Sequence, residues 1–227
     1  MKYEAAIFDL DGTLIDSTWV WHFMVKKICD VFKINEELTL IEETAHMPPT
    51  EFIEFIKKRF YLKQSVLEIK HVLLETAKEY YSNQIKLKKG AKRLLNLMKQ
   101  NSIKMAIATS CFVELTEIVL KKWDVYNMFS YFSYSEELNT NKQFADIYIY
   151  TANKLSVPCA KCGVFEDISS PLEKVLDCGM GYFAVYDKSR SEEVAKQLEK
   201  KSTYYIKDYD EFIDNGSFQR FFKIKEC

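Results

Sequence analysis

The chain has 227 residues, of which 48% are hydrophobic and 29% are charged. These proportions are typical of a globular protein, so the composition excludes disorder for most of the chain. Lys and Arg number 32 against 33 Asp and Glu, a net charge of −1, which disfavours nucleic acid and anionic membranes as main partners. The chain has only six Gly and four Pro, too few for the many turns of a β-sandwich, so we expect a helix-rich fold.

The sequence contains no run of 18 apolar residues, so it predicts no transmembrane helix. The first apolar stretch, residues 5–8, is short and is followed at once by Asp9, unlike the apolar centre of a signal peptide. We therefore expect a cytoplasmic protein with neither a membrane nor a nucleic acid as partner. We also expect it to be a monomer.

The first strand is predicted at residues 5–8, an apolar run without alternation that is typical of a strand covered on both faces. Residues 16–85 then contain no Gly and show apolar residues at helical spacing, in two blocks separated by Pro48 and Pro49. From residue 90 onward, predicted helices and strands alternate. The later strands are predicted at 104–109, 131–134, 163–165 and 182–186, and the helices at 91–100, 113–123, 144–155, 172–178 and 192–200.

This alternation predicts βαβ units and therefore an α/β fold with a doubly wound, mostly parallel sheet. We interpret residues 1–15 and 86–216 as the α/β core and residues 16–85 as an all-helical insert. Residues 217–227 form a basic and aromatic segment with no predicted place in the fold.

Polar side chains follow the predicted strands at the point where each strand ends. Asp9 and Asp11 follow the first strand, Thr109 and Ser110 end the second, and Glu166 and Asp167 end the fourth; Lys142 lies in a loop before a helix. Ligands of open α/β sheets bind at the carboxyl ends of the strands, so we expect these groups to share one cleft. Neighbouring carboxylates repel one another unless a cation neutralises them, and Mg²⁺ suits carboxylates combined with a substrate phosphate.

The segment Asp9-Leu10-Asp11-Gly12-Thr13-Leu14 resembles the signature of the haloacid dehalogenase-like hydrolases, in their phosphatase and β-phosphoglucomutase-like branch. Residues 107–110, Lys142 and residues 164–167 resemble the second, third and fourth motifs of that family, in the family's order. The position of the helical insert, directly after the first motif, is similar to that of the family's small α-helical cap.

The resemblance implies a role for each of these residues. Asp9 would be the nucleophile that forms an aspartyl-phosphate, and Asp11 the acid that protonates the leaving oxygen and then activates water. The phosphate would be bound by Gly12, Thr109, the backbone N–H of Ser110 at the start of a helix, and Lys142. Thr109 and Lys142 also count among the catalytic residues, Lys142 because it neutralises charge on the phosphate and on Asp9.

The resemblance also implies a Mg²⁺ cofactor. Its ligands would be Asp9, Asp167 and the backbone carbonyl of Asp11, while Glu166 would either lie just outside these ligands or replace one of them. The third motif departs from the family pattern, since Lys142 lacks a preceding Gly and a following Pro-Ala-Pro stretch.

The function expected from these residues is a Mg²⁺-dependent phosphatase acting on a small phosphorylated metabolite, such as a sugar phosphate or phosphoglycolate. Two alternatives stay open. One is a phosphosugar mutase similar to β-phosphoglucomutase, which would use the same Asp9 and Asp11. The other is a catalytically impaired, phosphate-binding regulatory protein, because the third motif is altered around Lys142. A dehalogenase is disfavoured, since it would not need the acid Asp11.

Overall fold

The computed structural model describes residues 2–44, 47–138 and 145–225. Within these residues six strands form one sheet in the order β3-β2-β1-β4-β5-β6, and each neighbouring pair is parallel. The strands are β1 Ala5–Phe8, β2 Lys104–Thr109, β3 Tyr131–Tyr134, β4 Cys162–Glu166, β5 Gly181–Val185 and β6 Tyr204–Ile206. The predicted α/β fold with a parallel sheet is confirmed.

Eleven α-helices are found in the described ranges, and they cover both the predicted insert and the core. They are α1 Val20–Phe32, α2 Glu37–Thr44, α3 Pro49–Arg59, α4 Val66–Asn83, α5 Ala91–Gln100, α6 Val113–Lys122, α7 Asp146–Lys154, α8 Leu172–Asp177, α9 Glu192–Lys201, α10 Tyr209–Asp214 and α11 Ser217–Phe221. None of the described helices is long and apolar enough to cross a membrane.

Both faces of the sheet are buried, as the unalternating apolar strands predict. Successive side chains of a strand point to opposite faces, so Ala5 and Ile7 of β1 belong to one apolar cluster and Ala6 and Phe8 to the other. The first cluster includes residues of α7, α8 and α9, and the second includes residues of α5, α6, α10 and α11. The sheet is therefore the middle of three layers.

Helices α1 to α4 lie between β1 and β2 in the chain and form the all-helical insert. The two segments that join it to the core run side by side, because Asp16 N–H donates to Lys86 O at 3.0 Å and Lys88 N–H donates to Leu14 O at 2.8 Å. A capping box at Ser65 begins α4, the longest helix of the insert, which packs on α1 and on the core helix α6. We retain residues 16–85 as the proposed limits of this insert.

The segment after β5 contributes elements that the sequence analysis did not predict, namely β6, α10 and α11. Residue 222, in the segment that had no predicted place, pairs with Tyr3 beside the sheet, where Tyr3 N–H donates to Phe221 O at 2.8 Å and Lys223 N–H donates to Tyr3 O at 3.0 Å. The Phe222 side chain is fully buried, with its ring centroid 5.9 Å from that of Phe165. The described part of this segment therefore completes the core on one face of the sheet.

Replacing Phe222 with Ala should destabilise the protein by about 3–5 kcal/mol, because the change leaves a cavity among packed aromatic rings. The free energy of unfolding would be measured by urea denaturation. Leu67→Ala is the control, since Leu67 lies on α4 and is 75% exposed, and its effect should stay within about 0.5 kcal/mol. Equal effects of the two substitutions would show that the terminal segment does not stabilise the core.

Candidate active site

Three carboxylates meet at the carboxyl ends of β1 and β4. Phe8 pairs with Phe165 in the register of these two strands, and Asp9 N–H donates to Phe165 O at 3.0 Å. The residues that follow, Asp9, Glu166 and Asp167, are all buried, and each offers one carboxylate oxygen within 4.8 Å of the oxygens of the other two. The structure thus brings together three of the predicted site residues.

Glu166 is held by hydrogen bonds to both of its carboxylate oxygens. The hydroxyl of Tyr148, on α7, donates to Oε1 at 2.9 Å, and the backbone N–H of Asp167 donates to Oε2 at 2.8 Å. Burial raises the pKa of Tyr148 well above its usual value, and the negative charge of Glu166 adds to this effect. Tyr148 therefore keeps its proton and remains a donor to Glu166 at neutral pH.

Asp167 forms an ion pair with Arg190, a residue that the sequence analysis did not single out. The guanidinium contacts Oδ2 through Nε at 2.8 Å and through Nη2 at 2.6 Å, while the hydroxyl of Thr13 donates to Oδ1 at 3.3 Å. Burial raises the pKa of Asp167 to about 7, and the charge of Arg190 opposes that rise. Arg190 follows β5, the strand next to β4, so its place beyond a strand end was the signal available in the sequence.

Asp11 contacts residues of the insert at the boundary between core and insert. Its Oδ1 accepts a hydrogen bond from Ser17 Oγ at 2.5 Å and another from the hydroxyl of Tyr81. Tyr81 belongs to α4 and was also missed, because its approach to Asp11 depends on how the insert packs on the core. Burial raises the pKa of Tyr81 well above its usual value, with the charge of Asp11 as the next cause, so the phenol stays protonated and donates to Asp11.

Thr109 and Ser110 lie at the end of β2, as predicted. Thr109 is buried and its Oγ1 accepts from the backbone N–H of Cys111 at 3.1 Å, while Ser110 Oγ lies 3.0 Å from Ser135 Oγ. The next helix, α6, begins only at Val113. The expectation that Ser110 N–H opens this helix is therefore wrong, because residues 110–112 form a loop in which Thr109 bonds to the backbone.

Lys142, predicted to bind phosphate and to neutralise Asp9, lies outside the described residues. Its place in the site stays a prediction.

Gly12 is packed against Asp167 in a backbone conformation that favours glycine. Its φ is +83°, and a Cβ at this position would lie 2.4 Å from Oδ2 and 2.8 Å from Cγ of Asp167. The first motif and the fourth can approach each other this closely only if residue 12 has no side chain.

The donor set of the cluster fits a hard divalent cation. Mg²⁺ prefers oxygen ligands and is commonly bound by carboxylates, and Asp9, Glu166 and Asp167 each offer a buried carboxylate oxygen. Buried carboxylates this close together repel one another, and a cation between them offsets both the repulsion and the loss of solvation.

Gly12→Ala should destabilise the protein by more than backbone strain alone, because the added Cβ would clash with Asp167. Gly216 has nearly the same φ, +81°, but nothing lies within 4 Å of the point that a Cβ would occupy there, so Gly216→Ala is a matched control for backbone strain alone. We expect Gly216→Ala to cost about 1–2 kcal/mol of unfolding free energy and Gly12→Ala to cost more, measured by urea denaturation. Equal losses would contradict the close contact with Asp167.

Comparison with known proteins agrees with this geometry. The family described as haloacid dehalogenase-like hydrolase matches residues 6–185. The phosphorylated carbohydrates phosphatase of Thermotoga maritima is 25% identical over 177 residues, which are 78% of this chain and 82% of that protein. Hexitol phosphatase B of Escherichia coli K12 is 25% identical over 173 residues, or 72% of this chain and 74% of that protein.

Solved structures show the same fold at lower identity. CbbY from Rhodobacter sphaeroides, in complex with phosphate, has a TM-score of 0.76 and 19% identity, covering 92% of this chain and 96% of that chain. β-Phosphoglucomutase from Clostridium difficile has a TM-score of 0.73 and 19% identity, covering 96% and 98%. The family match over residues 6–185, together with the sheet, the helical insert and the matching motifs, leads to one conclusion: the chain belongs to the haloacid dehalogenase-like hydrolases.

Proposed function

We propose that the protein is a Mg²⁺-dependent phosphatase that hydrolyses a small phosphorylated sugar or sugar alcohol through a phosphorylated Asp9. One observation carries the proposal: an oxygen of Asp9 lies within 4.8 Å of oxygens of Glu166 and Asp167, at the edge of a parallel sheet where ligands bind. This arrangement combines a candidate nucleophile with a candidate metal site.

Asp9 is the proposed nucleophile. One of its carboxylate oxygens forms a bond to phosphorus while the bond between phosphorus and the ester oxygen of the substrate breaks. Its strand-end position supports the role, because the backbone N–H of Asp9 is fixed by the bond to Phe165 O. Catalysis of this kind depends mainly on positioning, and a residue anchored at the end of a central strand is well placed for it.

Asp11 is the proposed acid and base. It gives a proton to the leaving oxygen, and it then takes a proton from the water that attacks phosphorus and releases phosphate from Asp9. The hydroxyls of Ser17 and Tyr81 both donate to Oδ1 of Asp11. They fix the direction of the carboxyl group, and its other oxygen, Oδ2, is the proposed site of proton transfer.

Mg²⁺ would be held by Asp9, Asp167 and the backbone carbonyl of Asp11, with Glu166 beside them or as an alternative ligand. When bound, the ion would offset negative charge on the carboxylates and on the phosphate. The phosphate itself would be bound by Gly12, Thr109, Ser110 N–H and Lys142, as the family motifs imply. The insert, residues 16–85, would act as a cap that limits access of water and selects the ester.

The proposed substrate class follows from the relatives. Two proteins similar to this chain are named phosphorylated carbohydrates phosphatase and hexitol phosphatase B. The fold is shared with β-phosphoglucomutase, so a mutase remains the second candidate.

Two activities would be measured to separate these candidates. The first is phosphate release from sugar phosphates, hexitol phosphates, phosphoglycolate and nucleotides. The second is conversion of glucose 1-phosphate to glucose 6-phosphate in the presence of a sugar bisphosphate. Net isomerisation without phosphate release would favour the mutase, and inactivity in both assays would favour the regulatory alternative.

Asp9→Asn should lower phosphate release by a factor of at least about 10³, because an amide cannot act as the nucleophile. Asp30→Asn, at an exposed position of α1, is the control and should keep full activity. Both variants should remain folded, which thermal melting would check. Substantial turnover by a folded Asp9→Asn variant would refute the mechanism.

Activity should disappear on removal of divalent ions with a chelator and return with Mg²⁺ but not with Ca²⁺. Ca²⁺ takes six to eight ligands at about 2.3–2.6 Å, whereas Mg²⁺ takes six at about 2.0–2.1 Å. The larger ion would therefore bind the carboxylates in a different geometry and misalign Asp9. Rates that are equal with the two ions, or unaffected by the chelator, would contradict the proposed role of the metal.

A further inference from the structure

Arg190 forms an ion pair with Asp167, whose carboxylate is also a ligand of the proposed metal site. Its Nε and Nη2 both contact Oδ2 of Asp167, at 2.8 and 2.6 Å, and only 14% of its side chain is exposed. Oδ1 of Asp167 accepts from Thr13. Both oxygens of Asp167 therefore have donors within the protein, and one of these donors carries a full positive charge.

The loop that carries Arg190 is anchored, so this contact is part of the fold. Asp187 accepts hydrogen bonds from the backbone N–H of Ser189 at 2.9 Å and from Thr18 Oγ1 at 3.1 Å, and it forms an ion pair with Lys88 at 2.8 Å. Arg190 N–H donates to Asp187 O at 3.2 Å. Thr18 and Lys88 belong to the two segments that join insert and core, so the loop is fixed to both of them.

We propose that Arg190 is an internal cation that competes with the divalent metal for Asp167 and thereby sets the metal concentration at which the site fills. This inference rests on the proposed metal site. A guanidinium in contact with Asp167 repels a divalent ion bound to the same carboxylate, whichever of its two oxygens the ion uses. When the metal binds, Arg190 must either move away from Asp167 or stay close to the ion at a cost in electrostatic free energy. Either change weakens the affinity of the site for the metal.

The ion pair of Arg190 with Asp167 also stabilises the protein when no metal is bound. A buried carboxylate without a charge partner is costly, and Arg190 supplies that partner for Asp167. A bound metal would supply it instead. Removal of the guanidinium should therefore destabilise the metal-free protein much more than the metal-bound protein.

The test compares wild type with Arg190→Gln, and the probe is Mg²⁺ alone. Dissociation constants would be measured by calorimetry, with Mn²⁺ and electron paramagnetic resonance as a second probe. Arg190→Gln should bind the ion at least about tenfold more tightly, which corresponds to about 1.4 kcal/mol. Its melting temperature should be lower than that of wild type without metal, and the gap should narrow in saturating Mg²⁺.

Two further variants are controls. Arg190→Lys keeps a positive charge and should stay closer to the wild-type affinity than Arg190→Gln. Arg93→Gln removes an exposed arginine that pairs with Asp210 and Asp214 on α10, and it should leave the metal affinity unchanged. Should Arg190→Gln fail to fold, the Arg190 Nε–H resonance of the wild-type protein can be followed instead, and it should shift and lose protection from hydrogen exchange as Mg²⁺ is added.

Unchanged or weaker binding by Arg190→Gln, with the same loss of melting temperature in both conditions, would show that Arg190 only supports the loop and would overturn the inference. An Arg190 resonance that metal does not affect would overturn it as well. If neither wild type nor any variant bound Mg²⁺ or Mn²⁺, the proposed metal site itself would fail, and the competition with it. The first two results leave the proposed function intact, so the two failures are distinguishable.

Discussion

The parallel pairing of β1 with β4 is the constraint on which the site depends. With Phe8 opposite Phe165, the residues that follow the two strands must lie side by side, and these residues are acids. The negative charge concentrated there would be costly in a buried position. Two neighbouring groups offset this cost, because Tyr148 donates to Glu166 and Arg190 forms an ion pair with Asp167. Gly12 has no side chain and therefore does not clash with Asp167.

The insert takes part in the site through Asp11. The two donors to its Oδ1 come from different parts of the insert, Ser17 from the first connecting segment and Tyr81 from α4. A second cluster around Asp187 joins both connecting segments to the loop of Arg190. Any movement of the insert relative to the core would therefore act on the proposed acid and on the partner of Asp167 together.

The residues of the acid cluster could be predicted from the sequence because parallel strands end at the same edge of a sheet. The proximity of Asp9 and Asp167 could be predicted from that rule and from the positions of two apolar runs. Arg190 and Tyr81 could not be found in this way, since their contacts depend on the path of a loop and on the packing of the insert. Ser110 N–H does not lie at the start of the next helix as expected, because Thr109 accepts from the backbone N–H of Cys111 in a loop that precedes α6. The segment around β6 was missed for a different reason: its strand has three residues and its helices have six and five, too short to show a period.

The central place of β1 has a consequence for the order of folding. Ala5 is paired with Lys104 on one side and with Cys162 on the other, and Tyr3 is paired with Phe222. Contacts between residues so distant in sequence form slowly, because the entropy of closing long loops is lost before the contacts stabilise the chain. During synthesis β1 is made before its partners β2 and β4, and until they are made both of its edges and its apolar faces are exposed. The strand that organises the site is thus also a segment through which the nascent chain can misassociate before the partner strands are made.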